Sequence, residues 1–442
     1  MLSAEDNELL TSTNSDQPMG QYFRRFWQPV ALSEELSECD AAPVRVNILG
    51  EELVAFRDTS GNLGLLDAHC PHRGADLFFG RNEECGLRCV YHGWKFAVDG
   101  TAVELPNVPA AAPMQQTMST SAYPTHERGG FVWAYLGPQT ETMPKPPELE
   151  FTVLEPEHRH VTKQLIECNW AQVMEGDLDT SHFSFLHMPA PSVPTDDNPD
   201  APADVRRLRM IRNDPMPDFT IKEHDVGFIV GGARTSQDGQ HYWRITQFML
   251  PSHGTGPSAL PGETYLGFTI VPITDEACWV FTYAWNPERP IAEEERARMV
   301  AGFAVFATLD DQYRPLANRS NDFLIDRDDQ KHRTFTGVKG LAEQDAMVQQ
   351  SQGFIVDRTK ENLTRTDAAI VRFRRRVLEE AKALAEGQEP AAPSQSQNYC
   401  TRPGSWFSEP GTDFDGVLVE RFGHPLGRVV STSATDPSQV EA

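Results

Sequence analysis

The sequence predicts an α+β chain: a small all-β unit toward the N-terminus, then a larger domain built on an antiparallel sheet flanked by helices. Three observations carry this reading. Short strand-like runs separated by turn residues fill 21–138, a proline- and acid-rich stretch at 144–156 reads as a linker, and helical and strand-like periodicities mix beyond it. At 442 residues the chain is long enough for two to three ordinary domains with a substantial core.

In chain order, residues 1–27 are expected as a helical segment packing against the larger domain, and residues 28–143 as the all-β unit. Strands are expected at 44–49, 52–57 and 131–136, with turns at Thr59-Ser60-Gly61 and Asp99-Gly100. Residues 144–385 form the larger domain. There, 170–187 reads as a helix, 227–234, 241–250 and 278–285 as antiparallel strands, and 293–309 as a further helix. Asp367 is placed to cap a helix carrying Ile370, Phe373, Val377, Leu378, Ala381 and Leu384 on one stripe. The tail, 386–442, is rich in Pro, Ser and Gln and reads as irregular.

A balance of 39 basic against 64 acidic residues, net −25, argues against an electrostatic hold on nucleic acid or an anionic membrane. Such a surface serves solubility or the docking of a basic redox partner. Residues 1–10 include Glu5, Asp6 and Glu8 and show neither a basic nor an apolar signal-peptide region, and no apolar run approaches a bilayer span, so no membrane association is expected. The seven cysteines, Cys39, Cys70, Cys85, Cys89, Cys168, Cys278 and Cys400, are odd in number and scattered. That suits a reducing cytoplasm better than a disulfide framework.

Two cysteines have a patterned context. His69-Cys70-Pro71-His72-Arg73-Gly74 is followed by Cys89-Val90-Tyr91-His92-Gly93-Trp94, which makes Cys-x-His, sixteen residues, then Cys-x-x-His. Two thiolates can hold one iron and two neutral imidazoles the other, the ligation of a Rieske two-iron two-sulfur cluster, so Cys70, His72, Cys89 and His92 are the expected ligands. A mononuclear zinc site is the alternative, but zinc fingers more often pair Cys with Cys and His with His, whereas each knuckle here is mixed. Gly74 and Gly93 suit loop tips where the backbone turns tightly.

With Cys-Pro-His-Arg-Gly and Tyr-His-Gly-Trp-Lys-Phe in place, the segment resembles the Rieske domain of ring-hydroxylating oxygenases. Respiratory Rieske proteins carry a further cysteine in each loop for a disulfide, and neither loop has one here. The larger domain holds a second constellation, Asp179-x-x-His182-x-x-x-x-His187. Two imidazoles and a carboxylate on one face of an octahedron leave positions open for dioxygen, as in non-haem Fe(II) oxygenases. On an ideal helix His182 and His187 differ by about 140° at roughly 100° per residue, so a π-bulge or a helix end is expected between them, and Pro189 favours an early end.

Spacing leaves the third ligand open among Asp326, Asp328, Asp329, Glu343, Asp345 and Asp357. The stretch from Thr334-Phe335-Thr336-Gly337 through Glu343-Gln344-Asp345 to Asp357-Arg358-Thr359 is similar to phthalate-dioxygenase-like enzymes, and that resemblance, which reaches to about Glu386, implies Asp345. It further implies a helix-grip catalytic domain, one Rieske cluster and one mononuclear Fe(II), and a separate NAD(P)H-dependent iron-sulfur flavin reductase. It implies a homotrimer or stacked trimers, with Asp179 bridging His92 of one subunit to His182 of the next, and it places Asn169 near the iron.

The same branch suggests an aromatic carboxylate as substrate. Arg244 alternates with Tyr242 and Thr246 on one strand face and can pair bidentately with a carboxylate; Arg207 is a second candidate. An ordinary ion pair is the other reading for each arginine. Cis-dihydroxylation of a phthalate-like acid ranks first and oxidative O-demethylation of a methoxylated acid second. An electron carrier without oxygenase activity is the reading from another class. It would hold two irons per chain where the oxygenase holds three, and a zinc protein would lack a cluster's visible absorption.

Overall fold

The computed structural model describes residues 1–140, 142–196, 198, 201–236 and 239–429. Helices Ala4–Thr11 (α1) and Pro18–Phe23 (α2) lead into strand Trp27–Leu32 (β1). A three-stranded meander follows, Val44–Ile48 (β2), Glu51–Arg57 (β3) and Leu63–Asp67 (β4). Next comes a four-stranded sheet, Arg81–Glu83 (β5), Gly86–Arg88 (β6), Lys95–Phe96 (β7) and Ala102–Glu104 (β8). Thr125–Arg128 (β9) and Phe131–Tyr135 (β10) return to pair with β1 in the order β1-β10-β9.

Side chains on a strand alternate between faces, and β3 and β4 use both. Val54, Phe56 and Leu66 enter a small core with Cys70, Cys89, Trp94 and Phe96, while Leu53, Ala55 and Leu65 enter the large core of the chain. The meander is thereby held from two sides; the loop with Cys70 follows β4, and the loop with Cys89 joins β6 to β7 of the four-stranded sheet.

The larger sheet is antiparallel throughout. Its order is Arg159–Ile166 (β11), Ala277–Trp285 (β17), Tyr265–Thr274 (β16), His253–Gly256 (β15), His241–Met249 (β14), Gly227–Thr235 (β13) and Asp218–His224 (β12), with Gly404–Ser408 (β18) on the part of β14 that β15 leaves free. Helices Trp170–Leu178 (α3), Ala203–Asn213 (α4), Glu293–Val300 (α5), Leu341–Ser351 (α6) and Ala368–Ala385 (α7) surround it. The expected stripe of α7 is buried, and Phe373 on it meets Trp170 of α3 at 5.6 Å and Phe248 of β14 at 5.2 Å between ring centroids. Burying one such ring contributes roughly 1.5–3 kcal/mol. On α3, buried Glu175 accepts from Arg358 Nε at 2.8 Å and from Arg374 Nε at 2.7 Å, which anchors the helix that leads into the second constellation. Removing one member of such a buried network costs about 3–5 kcal/mol.

The structure corrects four expectations. The helix expected over 170–187 ends at Leu178, before both histidines: Asp179 turns extended (φ −81°, ψ 99°), and its Oδ1 captures the Ser181 N–H in a turn that competes with the helix. The helix expected over 293–309 ends at Val300, because Gly302 and Ala304 take positive φ of 89° and 56°. Asp367 stands at the N-terminus of α7, but its carboxylate accepts from the Thr364 N–H behind it rather than from the helix. The tail is not irregular where it is described: β18 and helix Phe414–Phe422 (α8) complete the sheet edge beside Arg244, with Arg244 opposite Ser405. Residues 430–442 of that expectation lie outside the described residues.

Candidate active site

Cys70 and Cys89 head two loops of matching backbone design. Cys70 N–H donates to Ala75 O and its carbonyl accepts from Gly74 N–H, both at 2.8 Å; Cys89 does the same with Trp94 O at 2.8 Å and Gly93 N–H at 3.0 Å. Gly74 and Gly93 make these turns at φ of 67° and 78°, where a side chain would be strained. His72 and His92 converge with ring centroids 4.4 Å apart. His72 stacks on Trp94 at 4.4 Å, and Trp94 Nε1 is tethered to Asn107 Oδ1 at 2.6 Å.

The donor set fits a Rieske cluster. Both thiols are buried, and burial pushes that of Cys70 up to about 11, with neighbouring Cys89 adding to the rise and the His72 and Arg73 backbone N–H groups opposing it. Two thiolates in such a place need a nearby positive charge, which ferric iron supplies. Burial, with the charges of His72 and Arg73, also lowers His92, and its Nδ1 has no protein partner among the described residues, which leaves that nitrogen available to a metal. Val90 and Tyr91 at the tip of the second loop, and Phe79 nearby in sequence, are exposed at 59%, 53% and 64%.

The second constellation closes around one point. His182 Nε2 lies 3.1 Å from His187 Nε2, Asp345 Oδ1 lies 3.2 Å from His187 Nε2 and 3.7 Å from His182 Nε2, and all three atoms fall within 4.8 Å of one another. Cis ligands of an octahedron at about 2.1 Å from a metal stand about 3.0 Å apart, so the triangle fits a single first-row ion. A neutral imidazole pair sharing no proton across 3.1 Å is otherwise repulsive, lone pair against lone pair. Asp345 projects from α6 and both histidines from the irregular chain after α3; the short 3-10 turn His182–Ser184 brings His187 round despite the helical mismatch.

The neighbours of these side chains are specific. Gln344 Oε1 stands 2.7 Å from His187 Nδ1, and Gln344 Nε2 donates to Val338 O at 2.8 Å. The amide is thereby oriented to accept the Nδ1 proton, which leaves Nε2 with its lone pair toward the metal point. Asp179 Oδ2 is 3.7 Å from His182 Nδ1, and its Oδ1 accepts from Ser181 N–H and Oγ. Burial raises the Asp179 carboxyl, but its hydrogen bonds outweigh burial and hold it below the usual carboxylate range.

The remaining carboxylates named by spacing have other duties. Asp326 caps the turn at Asp328 and Asp329, Asp328 pairs with His332, Asp329 pairs with Arg333, Glu343 accepts from Thr308 N–H, and Asp357 holds Thr359 and Lys360. Asn169 is also corrected. It is the N-cap of α3, with Oδ1 accepting from Ala171 N–H and Nδ2 donating to Thr11 O and Asp275 O, so its amide is spent on backbone rather than facing the metal point.

A cavity of about 1090 Å³ opens beside His187, walled by Phe183, Met188, Arg207 and Arg244, with Trp406 and Phe407 contributed by the tail. Arg207, on α4, already donates to Glu263 Oε2 at 2.9 Å and Ser258 O at 3.0 Å. Arg244 differs. It is 3% exposed, its Nε donates to Thr180 Oγ1 at 2.8 Å, its guanidinium lies 3.7 Å over the Phe183 ring, and its buried Nη2 completes no hydrogen bond among the described residues, its polar neighbour being the likewise unsatisfied Tyr242 hydroxyl. Among the described residues no carboxylate forms an ion pair with it. A buried guanidinium lacking its counterion is costly, and in a cavity wall it marks an anion site. Sequence reading missed Gln344, Phe183, Thr180 and fully buried Arg234; only Gln344, next to Asp345, had a local signal.

The model of the Rieske [2Fe-2S] domain matches residues 26–123, and that of the LigXa C-terminal domain like family matches residues 134–400. The chain is 41% identical to the phthalate 4,5-dioxygenase oxygenase subunit of Pseudomonas putida, over 89% of this chain and 91% of that one. It is 34% identical to the 3-chlorobenzoate-3,4-dioxygenase oxygenase subunit of Comamonas testosteroni, over 95% and 99%. In fold it is similar to the crystal structure of dicamba monooxygenase bound to dicamba, with a TM-score of 0.57 at 18% identity over 83% of this chain and 100% of that one. No helix among the described residues is long and apolar enough to cross a membrane.

Proposed function

The chain belongs to the Rieske non-haem iron ring-hydroxylating oxygenases, on their phthalate-dioxygenase-like branch, and from that premise we propose that it is a terminal oxygenase cis-dihydroxylating an aromatic carboxylate. Its cofactors are one Rieske two-iron two-sulfur cluster and one mononuclear iron. Cys70 and Cys89 would hold one cluster iron and His72 and His92 the other, with His182, His187 and Asp345 on the mononuclear iron. When bound, the cluster supplies electrons one at a time and the mononuclear iron activates dioxygen.

The chain's own residues do the rest. Gln344 keeps the Nδ1 proton on His187 and so presents Nε2 as a ligand. Arg244 receives the substrate carboxylate and Phe183 packs beneath it, which orients the ring toward His187. The observation that carries the reading is the buried Nη2 of Arg244, which completes no hydrogen bond among the described residues, in the wall of a cavity that reaches a candidate iron ligand. The two relatives act, by their names, on phthalate and 3-chlorobenzoate, both ring carboxylates.

As an oxygenase subunit the chain takes electrons from a separate reductase. A second copy of the chain is the proposed electron acceptor, in a homotrimer or stacked trimers in which Asp179 joins His92 of one subunit to His182 of the next. The exposed apolar rim at Phe79, Val90 and Tyr91 supports docking there. The test of function is dioxygen uptake with a surrogate reductase across a panel of aromatic acids. Phthalate- or benzoate-type acids are expected to stimulate uptake and leave as cis-diols. Formaldehyde from methoxylated acids without diols would replace dihydroxylation by O-demethylation, and stimulation by neutral arenes alone would overturn the carboxylate reading.

A further inference from the structure

Thr180 sits between Asp179 and the Ser181-His182 turn, buried, with both of its oxygens accepting hydrogen bonds. Its hydroxyl accepts from Arg244 Nε at 2.8 Å and its carbonyl from Arg234 Nη2 at 2.7 Å. Its methyl lies over Gly232, where a Cβ would come within 2.7 Å of it, and Gly232 is the register partner of Arg244 across β13 and β14. The sheet therefore leaves a side-chain-free notch beside Arg244 that fixes the Thr180 rotamer and aims its hydroxyl at the guanidinium. On the other side, Asp179 Oδ1 holds both the N–H and the hydroxyl of Ser181, so the chain from Asp179 to His182 is a stiff turn with Thr180 at its centre.

One guanidinium thus faces two ways. Nε is bonded to the turn that carries Asp179 and His182, while Nη2, on the cavity side, completes no hydrogen bond among the described residues. We infer that Thr180 is a positioning residue that couples a carboxylate on Arg244 to the setting of the Asp179–His182 turn. The inference rests on the reading of Arg244 as the carboxylate anchor. A ligand shifts a second site only through contacts that differ between states, and here the shared contact is the Arg244–Thr180 hydrogen bond. Coupling of this kind is reciprocal: the acid must tighten the metal by the same factor by which the metal tightens the acid.

The test uses the full-length protein with its cluster intact and Co(II) at the mononuclear site, and phthalate and benzoate as probes. In the wild type the acid is expected to tighten Co(II) on the order of 10-fold and to shift the Co(II) visible bands, with the reciprocal gain in acid affinity. Thr180→Val keeps the methyl over Gly232 and removes the acceptor; it is expected to bind both ligands with coupling reduced to within about two-fold of unity. Thr180→Ser is expected to restore coupling. Full coupling in Thr180→Val overturns the inference, as does a wild type that binds acid through Arg244 but shows no coupling. Acid affinity unchanged in Arg244→Gln removes instead the carboxylate reading, and the inference with it.

Discussion

Replacing Arg244 by glutamine removes the one buried cation in the cavity wall that, among the described residues, has no counterion. In the structure its Nε is satisfied by Thr180 and its ring face by Phe183, so the unfilled capacity lies in the Nη groups. A carboxylate closing on that capacity makes charge-assisted hydrogen bonds, each worth about 1.5–3 kcal/mol in mutational series, and two on one guanidinium are not fully additive. A loss of about 3 kcal/mol corresponds to a rise on the order of 100-fold in KM for an aromatic acid. Because the bond orients the ring in both the bound and the reacting state, kcat is expected to fall far less than KM rises. The assay is steady-state dioxygen uptake with the acid and with its neutral amide, in wild type and Arg244→Gln, which forms a double-mutant cycle. The wild type should prefer the acid strongly and the variant hardly at all. A KM for the acid within three-fold of wild type, or undiminished preference for acid over amide in the variant, would refute the reasoning.

Three further outcomes follow from the geometry. Gln344→Ala removes the acceptor that fixes the His187 tautomer and should weaken mononuclear metal binding about 10–100-fold with the cluster absorbance unchanged, read by Co(II) titration. Asp179→Asn should leave the iron content and both spectroscopic signatures in place while nearly abolishing coupled turnover; normal turnover would sink the bridge between subunits. Burial pushes His253 down to about 3, and burial together with Arg428 pushes His224 down to about 4, so both stay neutral in the fold while the unfolded chain takes up protons near 6.5. The unfolded state therefore binds more protons below pH 6.5. The stability in question is complete above that value and lost as pH falls toward 4, by about 2 kcal/mol per histidine at pH 5. Thermal unfolding at pH 7 and pH 5 should show this drop, and His253→Gln should make it shallower.

What could be read in the sequence divides by range. Cys70, His72, Cys89 and His92 lie in two local knuckles whose residue types alone select the chemistry, and His182 and His187 lie on one short segment. Gln344 stands 157 residues from His187, and nothing along the chain joins them; Asp345 came only through resemblance. The face of Arg244 was legible because strand alternation is local, whereas Thr180 and Gly232 acquire meaning only when β13 and the turn after α3 meet. Helix length was overread at 170–187 because apolar periodicity continues past an Asp179 turn that breaks it. Asn169 was misassigned although Asn before an apolar helical run is itself a capping signal. The tail strand β18 has no alternation of its own and is made a strand by β14, a pairing across more than 150 residues that composition hides.

The central claim is that the cluster supplies the electrons used at the second metal point on an acid held by Arg244. Its most direct measurement is a single turnover: the protein is chemically reduced, freed of reductant, and mixed with dioxygen and phthalate or benzoate while cluster absorbance and product are followed together. The account predicts that cluster reoxidation and hydroxylated product appear together, and that in Asp345→Ala, with its cluster intact, the cluster stays largely reduced on that timescale and no product forms. Product formed equally in Asp345→Ala, or wild-type reoxidation with no product from any aromatic acid, would contradict it.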